Sequence, residues 1–361
     1  MLNCIPSWVL LMCPRAIYYT NGVCLRRWSM SDIKPYNGFI IDGAQYAKWD
    51  RAIFQEMRDG GVTCVNVTLV YWETARETLS EIGKWNRLFE QNSDLIMQAK
   101  TADDVRLAKT MNKTAITFAF QHCSPIEEDI DLVEIMYDLG VRFMQLTYNN
   151  QSVCATGCYE EVDSGVTRFG RQVIKEMNRV GMVVDMSHSG EKSTFDAIEI
   201  SERPITVTHA NPRSWHPALR NKSDELMKSL AESGGMLGFS MYPFHLKNGP
   251  DCTITEFCKM IAGASEIMGV DKVGIGSDLV QGHGNEVVEW MRNGRWSKEM
   301  DFGEGSLANA GWPDPVDWFM GNRDFSNIAS GLNDFGFNER EISQIMGLNW
   351  LQFFESSFKS Q

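Results

Sequence analysis

The chain has 361 residues, with 43% hydrophobic and 22% charged side chains, a formal charge of −13 and a pI near 5.0. Its lysines and arginines form no basic block, so nucleic acid is not an expected partner, and no run approaches the roughly 20 apolar residues that span a bilayer. Nine cysteines scattered through this length are too few for a disulfide scaffold and point to a reducing, cytoplasmic home.

Residues 1–29 differ in character from the rest of the chain. The apolar core Trp8–Met12 is short, no positive charge precedes it, and it lacks a small-residue cleavage site, so it makes a poor signal peptide. The expectation is a disordered or artefactual extension over residues 1–29, with Met30-Ser31-Asp32 as an ordinary start and residues 30–361 as a single domain. After Met30 come eight apolar, β-rich runs. They are Gly38–Ala44, Cys64–Val70, Thr114–Gln121, Val141–Tyr148, Gly181–His188, Pro204–Ala210, Met236–Tyr242 and Val273–Leu279. Helical periodicity separates them, clearest in Asp129–Leu139 and Val166–Val180. Ser223 and Thr253 are candidate N-caps, and Gly140, Gly181, Gly234 and Gly269 each stand just before the next strand. Eight strands buried on both faces read as an α/β fold, a (β/α)8 TIM barrel. A doubly wound sheet is the alternative, but no GxGxxG comes after the first strand. The Gly-, Trp- and Asn-rich segment Gly282–Pro315 reads as a long loop over the barrel mouth. Asn338–Phe358 reads as an amphipathic helix or helix pair broken near Gly347.

Parallel α/β folds keep their chemistry at the carboxyl ends of their strands. Here those ends carry Asp42-Gly43-Ala44-Gln45-Tyr46, Gln121-His122, Tyr148-Asn149, His188, His209, Tyr242 and Asp278. Two histidines on neighbouring strands, with a carboxylate two strands on, point to a site rather than to two structural hydrogen-bonders. His122 directly succeeds Gln121 and in an alternating strand points the other way. His216, His245 and His283 lie in polar loops and read as surface residues, the last two within reach of a covering loop. Cys154 and Cys158 (CATGC) have no second Cys pair or nearby His to complete a zinc site and read as loop.

From about Phe39 to Phe354 the chain resembles the membrane (renal-type) dipeptidase family, peptidase family M19, among the metal-dependent hydrolase barrels. The stretches that carry the resemblance are LGVRFMQLTYNN, GMVVDMSHSGEKSTFDAI, PITVTHANPR, ALRNKSDELM, GGMLGFSMYP, GIGSDL and IMGLNWLQFF. The resemblance implies a metal-dependent hydrolase acting on a dipeptide or related small amide with a free carboxylate, and a homodimer. It matches His188 and His209 to the histidines of the family's second zinc site, and Asp278 to its acid/base aspartate. Arg220 matches the arginine that holds the substrate carboxylate, and Tyr242 a substrate-lining position.

The chain departs from the family pattern at four places. The first-strand Asp-Gly-His-x-Asp reads Asp42-Gly43-Ala44-Gln45-Tyr46, so both first-zinc ligands are missing. The bridging glutamate falls on Gln121, and the histidine that steadies the tetrahedral intermediate falls on Tyr148. Alanine supplies no ligand, and a neutral amide oxygen is a poor bridge between two cations. The expectation is therefore one Zn²⁺ at most, held by His188, His209 and Gln121, with Asp278 and Tyr148 catalytic and Arg220 and Tyr242 binding substrate. The alternatives are the same barrel turned to another small amide, ester or lactone, or a non-catalytic binding homologue.

Overall fold

In a computed structural model, the eight apolar runs become the eight parallel strands of a closed barrel. The structure describes residues 34–358, apart from residues 296, 299–302, 304, 307 and 309, and the backbone of an antiparallel hairpin formed by Ile17–Thr20 and Val23–Arg26. Apart from that hairpin backbone, the expectation for residues 1–29 lies outside the described residues.

The barrel strands are β1 (Ile41–Ala47), β2 (Cys64–Val70), β3 (Thr114–Phe120), β4 (Val141–Gln145), β5 (Val183–Asp185), β6 (Thr206–Val207), β7 (Met236–Phe239) and β8 (Val273–Ile275). Each pairs in parallel with the next, and Ile275 of β8 pairs with Asp42 of β1 to close the ring. A short extra strand, Ile96–Gln98, flanks the start of β3. Past β8 the chain bends at Gly276-Ser277-Asp278 and resumes pairing with β1 through Leu279–Gln281. That resumed pairing explains why β1 runs to Ala47 rather than ending at Ala44.

Helices pack outside the ring, and their ends obey local chemistry. Thr253 caps the helix Ile254–Met268 in a capping box with Glu256, and Ser223 caps Asp224–Glu232. Gly181 closes Arg168–Val180 in the left-handed conformation at φ 96°, which favours glycine. The hydrophobic residues of these helices and the outward faces of the strands form one continuous core.

The C-terminal segment bends at Gly347 between Glu339–Ser343 and Asn349–Ser357 and brings Trp350 into the other end of the barrel. Trp350 is fully buried, donates to Ile275 O at 2.8 Å, and packs with Ile41, Cys64, Ala115, Phe143 and Met236. Next to the indole the interior closes on backbone, since a Cβ at Gly238 would meet both Thr208 O and Trp350 Cζ2. A side chain at Gly276 would stand 1.7 Å from Thr208 O, and one at Gly238 2.0 Å, so only glycine lets β7 and β8 approach the residue before His209. One end is thus sealed by an indole, and the other is left for chemistry.

Candidate active site

Most strands stop before the residues expected to end them. β5 ends at Asp185, three residues before His188. The reason is Asp185 itself, whose Oδ1 accepts from the backbone N–H of Ser187 and of Thr208, each at 3.1 Å. The carboxylate takes the place of ladder partners, and the chain turns toward the mouth. His188 is then held by its own backbone N–H, which donates to Gln145 Oε1 at 2.9 Å.

Gln121, Tyr148, His188, Arg220, Tyr242 and Asp278 line one pocket at this mouth. His209 lies directly behind His188, with the two Nε2 atoms 3.0 Å apart. Both rings are buried, and desolvation first, with Arg220 second, holds both imidazoles well below their ordinary pKa. Gln121 donates its amide N–H to Thr68 Oγ1 at 2.8 Å, which leaves the amide oxygen to offer elsewhere. The Tyr148 ring stacks on His188 at 4.0 Å, and burial, with the Asp278 charge second, pushes its phenol well above 10. Tyr148 therefore stays protonated, a donor at any ordinary pH. Arg220 is buried and donates to the backbone carbonyls of Ser187 and, at 3.3 Å, His209, which anchors it between β5 and β6.

Asp278 is the unusual member. Its φ is 58°, in the left-handed region that non-glycine residues avoid. Its backbone N–H donates to Ala44 O at 3.0 Å, while its carboxylate takes no hydrogen bond from any described residue. Burial raises its pKa to about 6, offset in part by Arg220. The next residue back, Ser277, donates both its backbone N–H, at 2.6 Å, and its hydroxyl to Asp42, which stitches the bend to β1.

The β1 side of the mouth holds rings instead of ligands. Tyr46 stacks on His283 at 4.3 Å and meets Tyr71 edge-on at 4.9 Å, and Tyr71 meets Tyr148 at 5.1 Å. Gln45 turns away to Asp42 Oδ2 (2.7 Å) and Asn322 Oδ1 (3.0 Å). Among the described residues no group of three or more His, Cys, Asp or Glu could hold a metal ion. The donor set present, two converging imidazole nitrogens and one neutral amide oxygen, suits a single ion and does not suit two.

His122 faces a different cavity, with Ser124 N donating to its Nδ1 at 2.9 Å. His245 corrects the surface reading. It is buried, bonded through Nδ1 to Ser240 Oγ at 2.9 Å, because the turn Pro243–His245 folds inward after β7. The segment 282–315 is also less irregular than expected, since it contains the helix Asn285–Asn293, and its Val288, Met291, Arg292 and Trp312 line the pocket. Asn149 is a further residue that sequence reasoning passed over. Its Oδ1 lies 2.6 Å from His188 Nδ1.

A family model described as membrane dipeptidase (peptidase family M19) matches residues 45–294. An amidohydrolase from Pseudomonas aeruginosa is 36% identical, with a TM-score of 0.84 over 89% of this chain and 97% of that one. A metallo peptidase from Rhodobacter sphaeroides, liganded with a phosphinate mimic of the dipeptide L-Ala-D-Ala, shares the fold at a TM-score of 0.74 and 16% identity, over 89% of this chain and 100% of that one. Dipeptidase tcpJ of Claviceps purpurea is 24% identical over 283 residues, 78% of this chain, and the chain spans 60% of that relative's length.

Proposed function

Because the chain belongs to the membrane dipeptidase family, a family of metal-dependent hydrolases, we propose that it cleaves the amide bond of a dipeptide or related small amide with a free carboxylate. The observation that carries this reading is Asp278, a carboxylate without a hydrogen-bond partner among the described residues, held on strained backbone in the pocket that His188 lines. Such strain persists where function needs it.

Asp278 acts as general base and then general acid. It takes a proton from the attacking water as the oxygen bonds to the amide carbon, and returns it to the leaving nitrogen as the C–N bond breaks. A pKa near 6 suits both tasks, since the group is ionised at neutral pH and readily reprotonated. The Tyr148 phenol donates to the carbonyl oxygen as negative charge develops there. Arg220 and Tyr242 fix the substrate end, Arg220 as the fixed positive charge that a free carboxylate seeks. His188, His209 and Gln121 would hold at most one Zn²⁺, which would supply Lewis acidity and a lowered water pKa when bound.

The ring-filled β1 side supports a second reading. With no second cation to sharpen the nucleophile, an ester or lactone, whose leaving group departs more easily than an amine, is the easier bond for this site. One experiment separates these readings. Zinc-reconstituted protein is assayed for metal content and for turnover of dipeptide, ester and lactone panels, beside His188→Ala and Asp278→Asn. Dipeptide turnover lost in both variants supports the first reading, and turnover confined to esters or lactones supports the second. Turnover unchanged by both substitutions removes the catalytic assignment.

A further inference from the structure

The surroundings of the two imidazoles determine which nitrogen of each carries a proton. Asn149 Oδ1 lies 2.6 Å from His188 Nδ1, and Cys158 Sγ donates to the same oxygen. An amide oxygen only accepts, so His188 Nδ1 is the protonated nitrogen and Nε2 keeps its lone pair. On the other ring the control comes from two residues away in the network. Asp185 Oδ2 accepts the Thr208 hydroxyl at 2.6 Å, which uses that hydroxyl's one proton. Thr208 Oγ1 can then only accept from His209 Nδ1, 2.8 Å away. His209 Nε2 is left with a lone pair as well.

Two lone pairs therefore face each other across 3.0 Å, an arrangement that repels unless a cation stands between them. Had either ring the opposite tautomer, the pair would close as an ordinary N–H···N hydrogen bond and accept no metal. We infer that Asn149 and Asp185, the latter acting through Thr208, are positioning residues that hold both imidazoles as acceptors for one divalent cation. This inference rests on the one-ion reading of the site. It gives a purpose to a fully buried carboxylate that touches neither substrate nor ring.

The geometry predicts the sign of each substitution. In Asp185→Asn the amide oxygen stays where Oδ1 now accepts from the Ser187 and Thr208 backbone N–H groups and from Ser187 Oγ at 2.6 Å. Its NH₂ then faces Thr208 Oγ1, whose freed proton goes to His209 Nδ1, the nearer of its remaining neighbours at 2.8 Å against 3.0 Å for Ser187 Oγ, and the ring proton moves to His209 Nε2. Zinc affinity should fall about 10–100-fold. Asn149→Leu removes the acceptor from His188 and should weaken zinc by a similar factor. Asn149→Asp keeps an acceptor and adds charge, so affinity should be retained or tightened.

The experiment is a zinc titration of the full chain against a chromophoric chelator, with ¹⁵N-imidazole NMR of the same proteins and thermal melts to confirm folding. Support is Asp185→Asn and Asn149→Leu weakened, Asn149→Asp not, and His209 protonated at Nδ1 in the wild type but at Nε2 in Asp185→Asn. Equal affinity in all four proteins overturns the inference, as does an Nε2-protonated His209 in the wild type. A wild type that binds no zinc would end the one-ion reading alone, because the NMR comparison still tests the tautomer assignment.

Discussion

The two sides of the barrel mouth solve the same spatial problem with different chemistry. On the β5–β6 side, His188 and His209 sit in a network where each proton has an assigned place, from Asn149 at one end to Asp185 at the other. On the β1 side, Ala44 and Tyr46 stand where the family pattern has ligands, and the rings of Tyr46, Tyr71, Tyr148 and His283 pack one on another. Where the resemblance would put ligands, this side of the mouth carries aromatic surface. Each ring pair adds about 0.5–1.5 kcal/mol beyond burial. On the proposed one-ion reading, the absence of a first metal site is built into this packing, and the β5–β6 side carries the chemistry of the mouth.

The sharpest way to break this comparison is Asp278→Asn, which keeps shape and removes the base. Turnover should fall about 10²–10⁴-fold with little change in zinc content. A parallel loss of zinc would place Asp278 among the ligands and blur the division between the sides. Next in size is Tyr148→Phe, which keeps the ring stack on His188 and deletes only the hydroxyl. A fall of about 10²-fold in kcat at nearly constant KM is expected for a donor used in the transition state. An effect confined to KM would make Tyr148 part of the aromatic filling and nothing more.

The comparison can also be reversed. Ala44→His, Tyr46→Asp and Gln121→Glu in one chain restore the residue types of a first zinc site and a bridge. Zinc content after reconstitution should rise from at most one per chain toward two, with a lower melting temperature because the Tyr46 ring contacts are gone. Content that stays at one or below would show that the neighbouring Tyr71 and His283 still occupy the space.

Much of this architecture was legible in the chain itself, and the exceptions share a cause. The eight strands arise from β-branched runs bounded by glycine or proline, and the capping box at Thr253 and Glu256 is visible in the letters. Gln121, Tyr148, His188, Tyr242 and Asp278 were legible because parallel strands all deliver their carboxyl ends to one rim, whereas Arg220, in the loop after β6, was matched only through the family resemblance. Asn149, Thr208 and Asp185 were not legible, because their roles lie in hydrogen bonds between strands far apart in sequence, which no periodicity encodes. His245 was misread because polar neighbours suggest a surface, while the fold tucks the turn at Pro243 inward. Arg292 was missed because it belongs to the covering segment, where spacing carries little signal.

The smallest expected effect concerns what Asp278 does to stability. Its pKa rises from 3.8 to about 6 on folding, with desolvation the main cause. The native state therefore binds this proton more tightly than the unfolded chain does, so the contribution of Asp278 to stability falls as pH rises. The penalty is absent below pH 3.8, grows between 3.8 and about 6, and is fully present above. Asparagine resembles the protonated form at every pH. Asp278→Asn should thus be more stable than the wild type by about 1–2 kcal/mol at pH 8, discounted because the group faces a solvated pocket, and should match it near pH 4. Denaturant melts at the two pH values check this. The same replacement that disables the mouth would then strengthen the fold, which is what is expected if the strained side of Asp278 is retained for chemistry rather than for packing. A variant less stable than the wild type at pH 8 would mean that the carboxylate has a stabilising partner when ionised, and the role of base would then pass to another group at the mouth.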